Sequence, residues 1–201
     1  MKYSRRHFVK AAGSGIVLTS IGGGTLLAAV PPPPSRSMPM TKEKATLIVN
    51  GKPLVAEYEA RTTLWEVIAV NLGLTGTTRS CNRASCGACS VLIDGTPFYS
   101  CHTLATEAGG KKIFTIEGLG DEKNLHPLQR IGYMHMAADC GFCTAGWSVT
   151  AKALLDKNSN PGVEDVKKAL AGHICRCSAY SAIIRTVIDT GKVLRGEAEI
   201  V

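Results

Sequence analysis

The chain lacks the usual signatures of nucleotide chemistry. It has no Gly-x-Gly-x-x-Gly run after a strand-like segment and no phosphate-cradling loop; Gly118-Leu119-Gly120 reads as a linker by composition. No Ser/His/Asp or Cys/His set falls in a nucleophile–base pattern, so the chain alone carries no visible site for substrate chemistry. Aromatics are scarce, and no basic helix or stripe is interleaved with them, which excludes a nucleic-acid partner. Acidic residues are absent before Glu43. The formal net charge of +7 therefore owes four charges to Lys2, Arg5, Arg6 and Lys10, and loss of the first 29 residues would lower it from +7 to +3.

That basic start reads Ser4-Arg5-Arg6-His7-Phe8-Val9-Lys10, followed by a weakly apolar run from Ala11 to Val30. A paired-arginine head before a Gly/Ala-rich segment is a twin-arginine export pattern, and it implies a periplasmic destination. Gly13, Gly15 and Gly22–Gly24 interrupt the run and make it a poor spanning helix. Ala28-Ala29 is the candidate cleavage point, with retention as an N-terminal anchor as the alternative.

Against these absences stand eight cysteines in two sets of four. Cys81, Cys86, Cys89 and Cys101 read C-x4-C-x2-C plus a fourth twelve positions on. Cys140, Cys143, Cys175 and Cys177 form a C-x2-C and a later C-x-C. Four thiolates are the ligand count of a [2Fe–2S] cluster, and the first spacing is that of a plant-type ferredoxin. Zinc competes, because C-x2-C pairs also build closed tetrahedral sites. The second set alone is ambiguous; three cysteines within nine residues in the first favour iron. Disulfides compete too in an exported chain. A Cys175–Cys177 bridge would be strained, and the twin-arginine route carries proteins already folded around their cofactors. Both sets are complete without histidine, so a Rieske reading of His102 fails. His126 reads as a helix start. His135 and His173 read as surface or packing residues, and Trp65 and Trp147 as core.

The periodicity divides the chain. Ala45–Asn50 and Pro53–Tyr58 flank an Asn50-Gly51 turn, and Ser90–Ile93 and Pro97–Ser100 flank Asp94-Gly95. Thr62 or Thr63 caps a helix through about Leu72, and Lys112–Ile116 is a fifth strand. Residues 73–89 read as a loop wrapped round something other than a hydrophobic core. Four helices follow, over His126–Ala137, Thr144–Asp156, Val163–Gly172 and Ala179–Leu194, with cysteines at their junctions. The expected fold class is α+β: an N-terminal β-grasp (plant-type ferredoxin-like) domain followed by a four-helix [2Fe–2S]-binding domain. The expected boundaries are a signal over 1–30, a Pro-rich linker over 31–43, the β-grasp domain over 44–117, the helical domain over 118–194 and a tail over 195–201. Gly and Ala between Cys86 and Cys89 let amides turn toward sulfur. The segments around Cys143 and Cys175–Cys177 immediately precede helices, whose N-termini favour an anionic neighbour, and Arg176 adds a positive charge there.

The stretch Cys81–Gly95 with Ser100-Cys101, and Cys140-Gly141-Phe142-Cys143-Thr144 with Ile174–Tyr180, resembles the ferredoxin portion of the xanthine oxidase family. The likeness covers about Lys44 to Thr190. With the export signal, it is most similar to the iron–sulfur subunits of periplasmic aldehyde oxidoreductases. The resemblance implies an electron-transfer subunit carrying two [2Fe–2S] clusters. Its implied partners are a large subunit with a molybdenum-pterin cofactor and an acceptor, either an FAD subunit or a c-type cytochrome with haem c. It implies further that the helical-domain cluster lies nearer the molybdenum and that Cys177 approaches the pterin. Relatives carry glutamine where Asp139 stands, and its amide contacts the pterin; a carboxylate cannot donate in its place unless protonated. Relatives also favour glycine at Ser80, Ala84 and Ala179, where positive φ would strain other residues, and proline at Ala145. The alternatives are a stand-alone two-cluster ferredoxin and a zinc or disulfide module.

Overall fold

A computed structural model describes residues 41–200, which form one compact unit. The expected signal and most of the expected linker lie outside the described residues. The linker's last residues do not: the first strand, β1, spans Lys42–Val49. The Asn50-Gly51 turn, with φ of 50° and 76°, returns the chain as β2, Lys52–Glu59. Two successive left-handed residues are what a tight hairpin needs to match strand twist. Asp94-Gly95, with φ of 49° and 77°, does the same between β3 (Ser90–Ile93) and β4 (Thr96–Tyr99). The last strand, β5, spans Lys112–Phe114; it is shorter than expected because Ile116 opens a 3-10 turn.

The sheet order is β2-β1-β5-β3-β4. β5 runs parallel to β1 and antiparallel to β3, with Ile113 facing both Val49 and Ile93 in register. A helix crosses one face. Thr63 caps it, accepting from the Glu66 N–H while Glu66 Oε2 accepts from the Thr63 N–H, a reciprocal pairing that satisfies two otherwise orphaned donors. The first turn, α1 (Leu64–Glu66), widens at once into a π turn over Val67–Asn71. Leu64, Val67 and Ile68 pack on Leu47, Val49, Val91, Ile93 and Ile113 to form the first core.

The helical half consists of α2 (Pro127–Met134), α3 (Thr144–Lys157), α4 (Val163–Ala169) and α5 (Tyr180–Leu194). His126 caps α2, as expected, its Nδ1 accepting from the Leu128 N–H at 3.2 Å. Trp147, Ala151 and Leu155 of α3 join Leu128, Val166, Ile183 and Val187 in a second core. Val149 and Ala153, on another face of α3, pack on Leu92 of β3. This explains why Ser90–Ile93 is buried throughout. Val91 and Ile93 face α1, while Leu92 and Ser90, on the opposite side of a strand with period two, face α3. A strand covered on both faces reads as an unbroken apolar run.

Trp65 departs from expectation. It is only partly buried, its Nε1 donates to the Thr77 carbonyl, and it serves the loop rather than the core. Trp147 is 1% exposed and does lie in the core. Among the described residues no helix is long and apolar enough to cross a membrane.

Candidate metal centres

The loop carrying Cys81, Cys86 and Cys89 has no regular structure and takes its shape from left-handed residues. Asn82, Ala84 and Gly87 have φ of 52°, 56° and 74°. Ala84 thus bears the strain that its type predicts, whereas Ser80 and Ala179 do not adopt positive φ. The curl turns backbone N–H groups toward sulfur. Ser85 N donates to Cys81 Sγ at 3.3 Å. Amides of Arg83 and Ser85 draw the Cys81 thiol down to about 7. Cys101 arrives from the short turn after β4, beside Cys89. Both are buried, and burial, with Cys101 as neighbour, pushes the Cys89 thiol up to about 12.

The second quartet repeats this division. Cys143 is the N-cap of α3 and is buried against Cys175. Burial and then the Cys175 thiol push Cys143 up to about 12. Cys140 and Cys177 are exposed and meet each other. The Phe142 amide, helped by the Cys177 thiol, lowers Cys140. Gly141, with φ of 79°, makes the bend between Cys140 and Phe142. Asp139 is exposed beside Cys177, and its carboxyl helps to raise the Cys177 thiol. The Tyr180 hydroxyl accepts from the Cys175 N–H at 2.9 Å, a contact within the Cys-x-Cys-x-x-Tyr stretch that the sequence reading left unassigned.

The eight cysteines stand as neighbouring pairs: Cys81 with Cys86, Cys89 with Cys101, Cys140 with Cys177, Cys143 with Cys175. Among the described residues no three His, Cys, Asp or Glu side chains converge to hold a single metal ion. Two irons taking two thiolates each fit this pairing; one zinc drawing four thiolates to a point does not. Among the described residues Thr144 Oγ1 and Trp147 Nε1 are buried without hydrogen-bond partners, one residue and one helical turn beyond Cys143 in the chain.

The quartets adjoin each other. Ile174 N donates to the Cys86 carbonyl at 3.0 Å. Thr78 Oγ1 donates to the Phe142 carbonyl at 2.7 Å. A cavity of about 540 Å³ is lined by Cys86, Cys140, Cys143, Ile174 and Arg176, among others. Gly146 of α3 lies on the Cys86–Cys89 loop so closely that an added Cβ would stand 2.2 Å from the Gly87 oxygen. His173, expected at the surface or in packing, sits at this junction. His135 instead pairs with Asp189 at 3.0 Å, and His102 is exposed.

Comparison with known proteins agrees. Residues 47–113 match the 2Fe-2S iron-sulfur cluster binding domain and residues 115–188 the [2Fe-2S] binding domain. The chain is 40% identical over 151 residues to the nicotine 6-hydroxylase small subunit of Paenarthrobacter nicotinovorans, covering 75% of this chain and 91% of that one. It is 41% identical over 154 residues to the aldehyde oxidoreductase of Megalodesulfovibrio gigas, covering 75% of this chain but 17% of that longer protein. A chain of quinoline 2-oxidoreductase from Pseudomonas putida 86 superimposes with a TM-score of 0.73 at 39% identity, covering 78% of this chain and 99% of the other. The chain belongs to the iron–sulfur subunits of the xanthine oxidase family, the electron-transfer components of heteromeric molybdenum hydroxylases.

Proposed function

We propose that Cys81, Cys86, Cys89 and Cys101 ligate one [2Fe–2S] cluster, that Cys140, Cys143, Cys175 and Cys177 ligate the other, and that electrons enter at the helical half and leave from the β-grasp half. The observation that carries this reading is the division of each quartet into thiol pairs. Each cluster, when bound, supplies one-electron redox chemistry. The protein supplies thiolates, amides directed at sulfur, and burial of one pair in each quartet, which limits solvent access to the metal.

The direction follows from the surface. Phe142, Ile174 and Tyr180 are exposed around the helical quartet, and Tyr133 and Met136, 84% and 80% exposed, share a depression with Asp139 and Cys177. Large apolar side chains clustered on a surface mark an interface. A molybdenum-bearing subunit covers this face in our reading, with Cys177 and Asp139 toward its pterin. The Cys81–Cys86 loop would face the acceptor, an FAD subunit or a c-type cytochrome. The substrate of the complex is then an aldehyde or a nitrogen heterocycle, the classes named in the relatives. The paired arginines of the N-terminus support export by the twin-arginine route to the periplasm.

Purification of the native complex through a tag on this chain tests the assignment. About four iron atoms per chain are expected, together with molybdenum on a large partner and either flavin or haem on a third. A colourless chain lacking iron, from cells able to build such clusters, would refute it.

A further inference from the structure

His173 touches both halves of the molecule at the point where the quartets adjoin. Its ring lies on Gly87, inside the Cys86–Cys89 loop: a Cβ built at Gly87 would stand 2.7 Å from His173 Cδ2 and 2.9 Å from Cγ. Its Nε2 is 3.2 Å from Ser90 Oγ of β3 and 3.2 Å from Thr150 Oγ1 of α3. Ser90 bears on which nitrogen carries the proton. The serine hydroxyl has one hydrogen, and it goes to the Gly87 carbonyl at 2.7 Å. Toward the ring Ser90 offers only lone pairs, so its contact with His173 is a hydrogen bond when Nε2 carries the proton. The His173 N–H donates to the Leu170 carbonyl at 2.9 Å and fixes the residue to the end of α4. One position on, Ile174 N bonds the Cys86 carbonyl, and the next residue is Cys175.

We propose that His173 is a positioning residue that holds the Cys86–Cys89 loop and the Cys175–Cys177 segment at one fixed separation, and so sets the rate at which an electron crosses between the two quartets. The inference rests on the ligand assignment above. The step it governs moves one electron from the helical half, reduced by the partner's substrate oxidation, to the oxidised β-grasp half. No bond forms or breaks and no proton moves with it. The contact between the loops depends on His173 because Ile174 cannot reach Cys86 unless the chain before it is held against Gly87. The ring fills that place, and Ser90 and Thr150 fix its orientation from two different elements.

The test uses the intact complex with both centres loaded. Iron content and the visible spectrum come first, and a parent without iron removes the ligand assignment and this inference with it. In the loaded parent, reduction of both centres should give a magnetic splitting in the paramagnetic resonance spectrum that reports their separation. His173→Ala should keep its iron, lose much of that splitting, and slow internal electron transfer about tenfold or more, since small misplacements of reacting groups cost rate steeply. Ser90→Ala keeps the ring but removes one of its two hydrogen-bond partners, and should shift the splitting in the same direction by less; it decides the matter if His173→Ala does not assemble. Parental splitting and transfer rate in either iron-replete variant would overturn the proposal.

Discussion

The indole Nε1 of Trp65 donates to the backbone carbonyl of Thr77 at 2.7 Å, and the Arg79 guanidinium lies over the same ring, 3.7 Å from its centroid. A helix residue of the β-grasp half thus grips the loop two to four residues before Cys81. Trp65→Phe keeps a ring but strands a carbonyl, at a cost of about 1–3 kcal/mol if that group is left unsatisfied. Faster loss of the first cluster under chelator challenge, with the second unaffected, is the expected outcome.

Gly146 sits in the first turn of α3, and alanine in place of glycine in a helix ordinarily gains up to about 1 kcal/mol of propensity. Here the added methyl would stand 2.2 Å from the Gly87 oxygen and 2.9 Å from the Ala88 oxygen. Both obstacles are backbone and cannot swing aside. Overpacking costs about 1–3 kcal/mol, occasionally more, and should exceed the propensity gain. Gly146→Ala is expected to lower the thermal unfolding midpoint; a rise would mean that the halves are less tightly apposed than described.

Cys89→Ser removes one member of the buried pair in the first quartet. Iron should fall to about two atoms per chain, with the spectrum of the remaining centre retained. Unchanged two-cluster spectra would refute the role given to Cys89.

The His126 cap predicts an acid-side loss of stability. Burial chiefly, with the Lys152 charge adding, holds its imidazole below the ordinary value of 6.5, against a weaker pull from Asp156. The unfolded chain therefore binds a proton that the folded chain resists. The cap's contribution is complete above pH 6.5 and declines as pH falls from there toward the folded value. Protonation also consumes Nδ1, the atom that accepts from Leu128. His126→Asn should keep a cap while flattening the denaturation midpoint against pH in that window. Some slope remains, because burial lowers His173 in the same direction.

Asp139 is exposed beside Cys177 and supports no core. Asp139→Gln should leave stability within about 0.5 kcal/mol of the parent while changing turnover of the complex. If steady-state kinetics are indifferent to the substitution, the position does not face the pterin.

Much of this molecule was legible from local signals. The cysteine spacing announced two quartets, Asn50-Gly51 and Asp94-Gly95 marked both hairpins, and helical periodicity located α2 to α5 within a few residues. What escaped were effects of distance. Ser90 and Thr150 lie 83 and 23 positions from His173, and nothing near that histidine distinguishes it from a surface residue. Trp65 read as core because its neighbours carry helical periodicity, yet its polar edge was claimed by Thr77, twelve positions on. The widening of α1 into a π turn left no local mark either, since residues 64–72 satisfy both periods. The packing of Val149 and Ala153 on Leu92 runs across residue 117 and left no local mark in the sequence.

Because β3 is clad on both sides, the ferredoxin-like half is not a portable module. Cutting the chain after β5 would strip α3 from Leu92 and leave an oily ribbon open to water. Such a fragment should stick to itself instead of surviving as a miniature carrier.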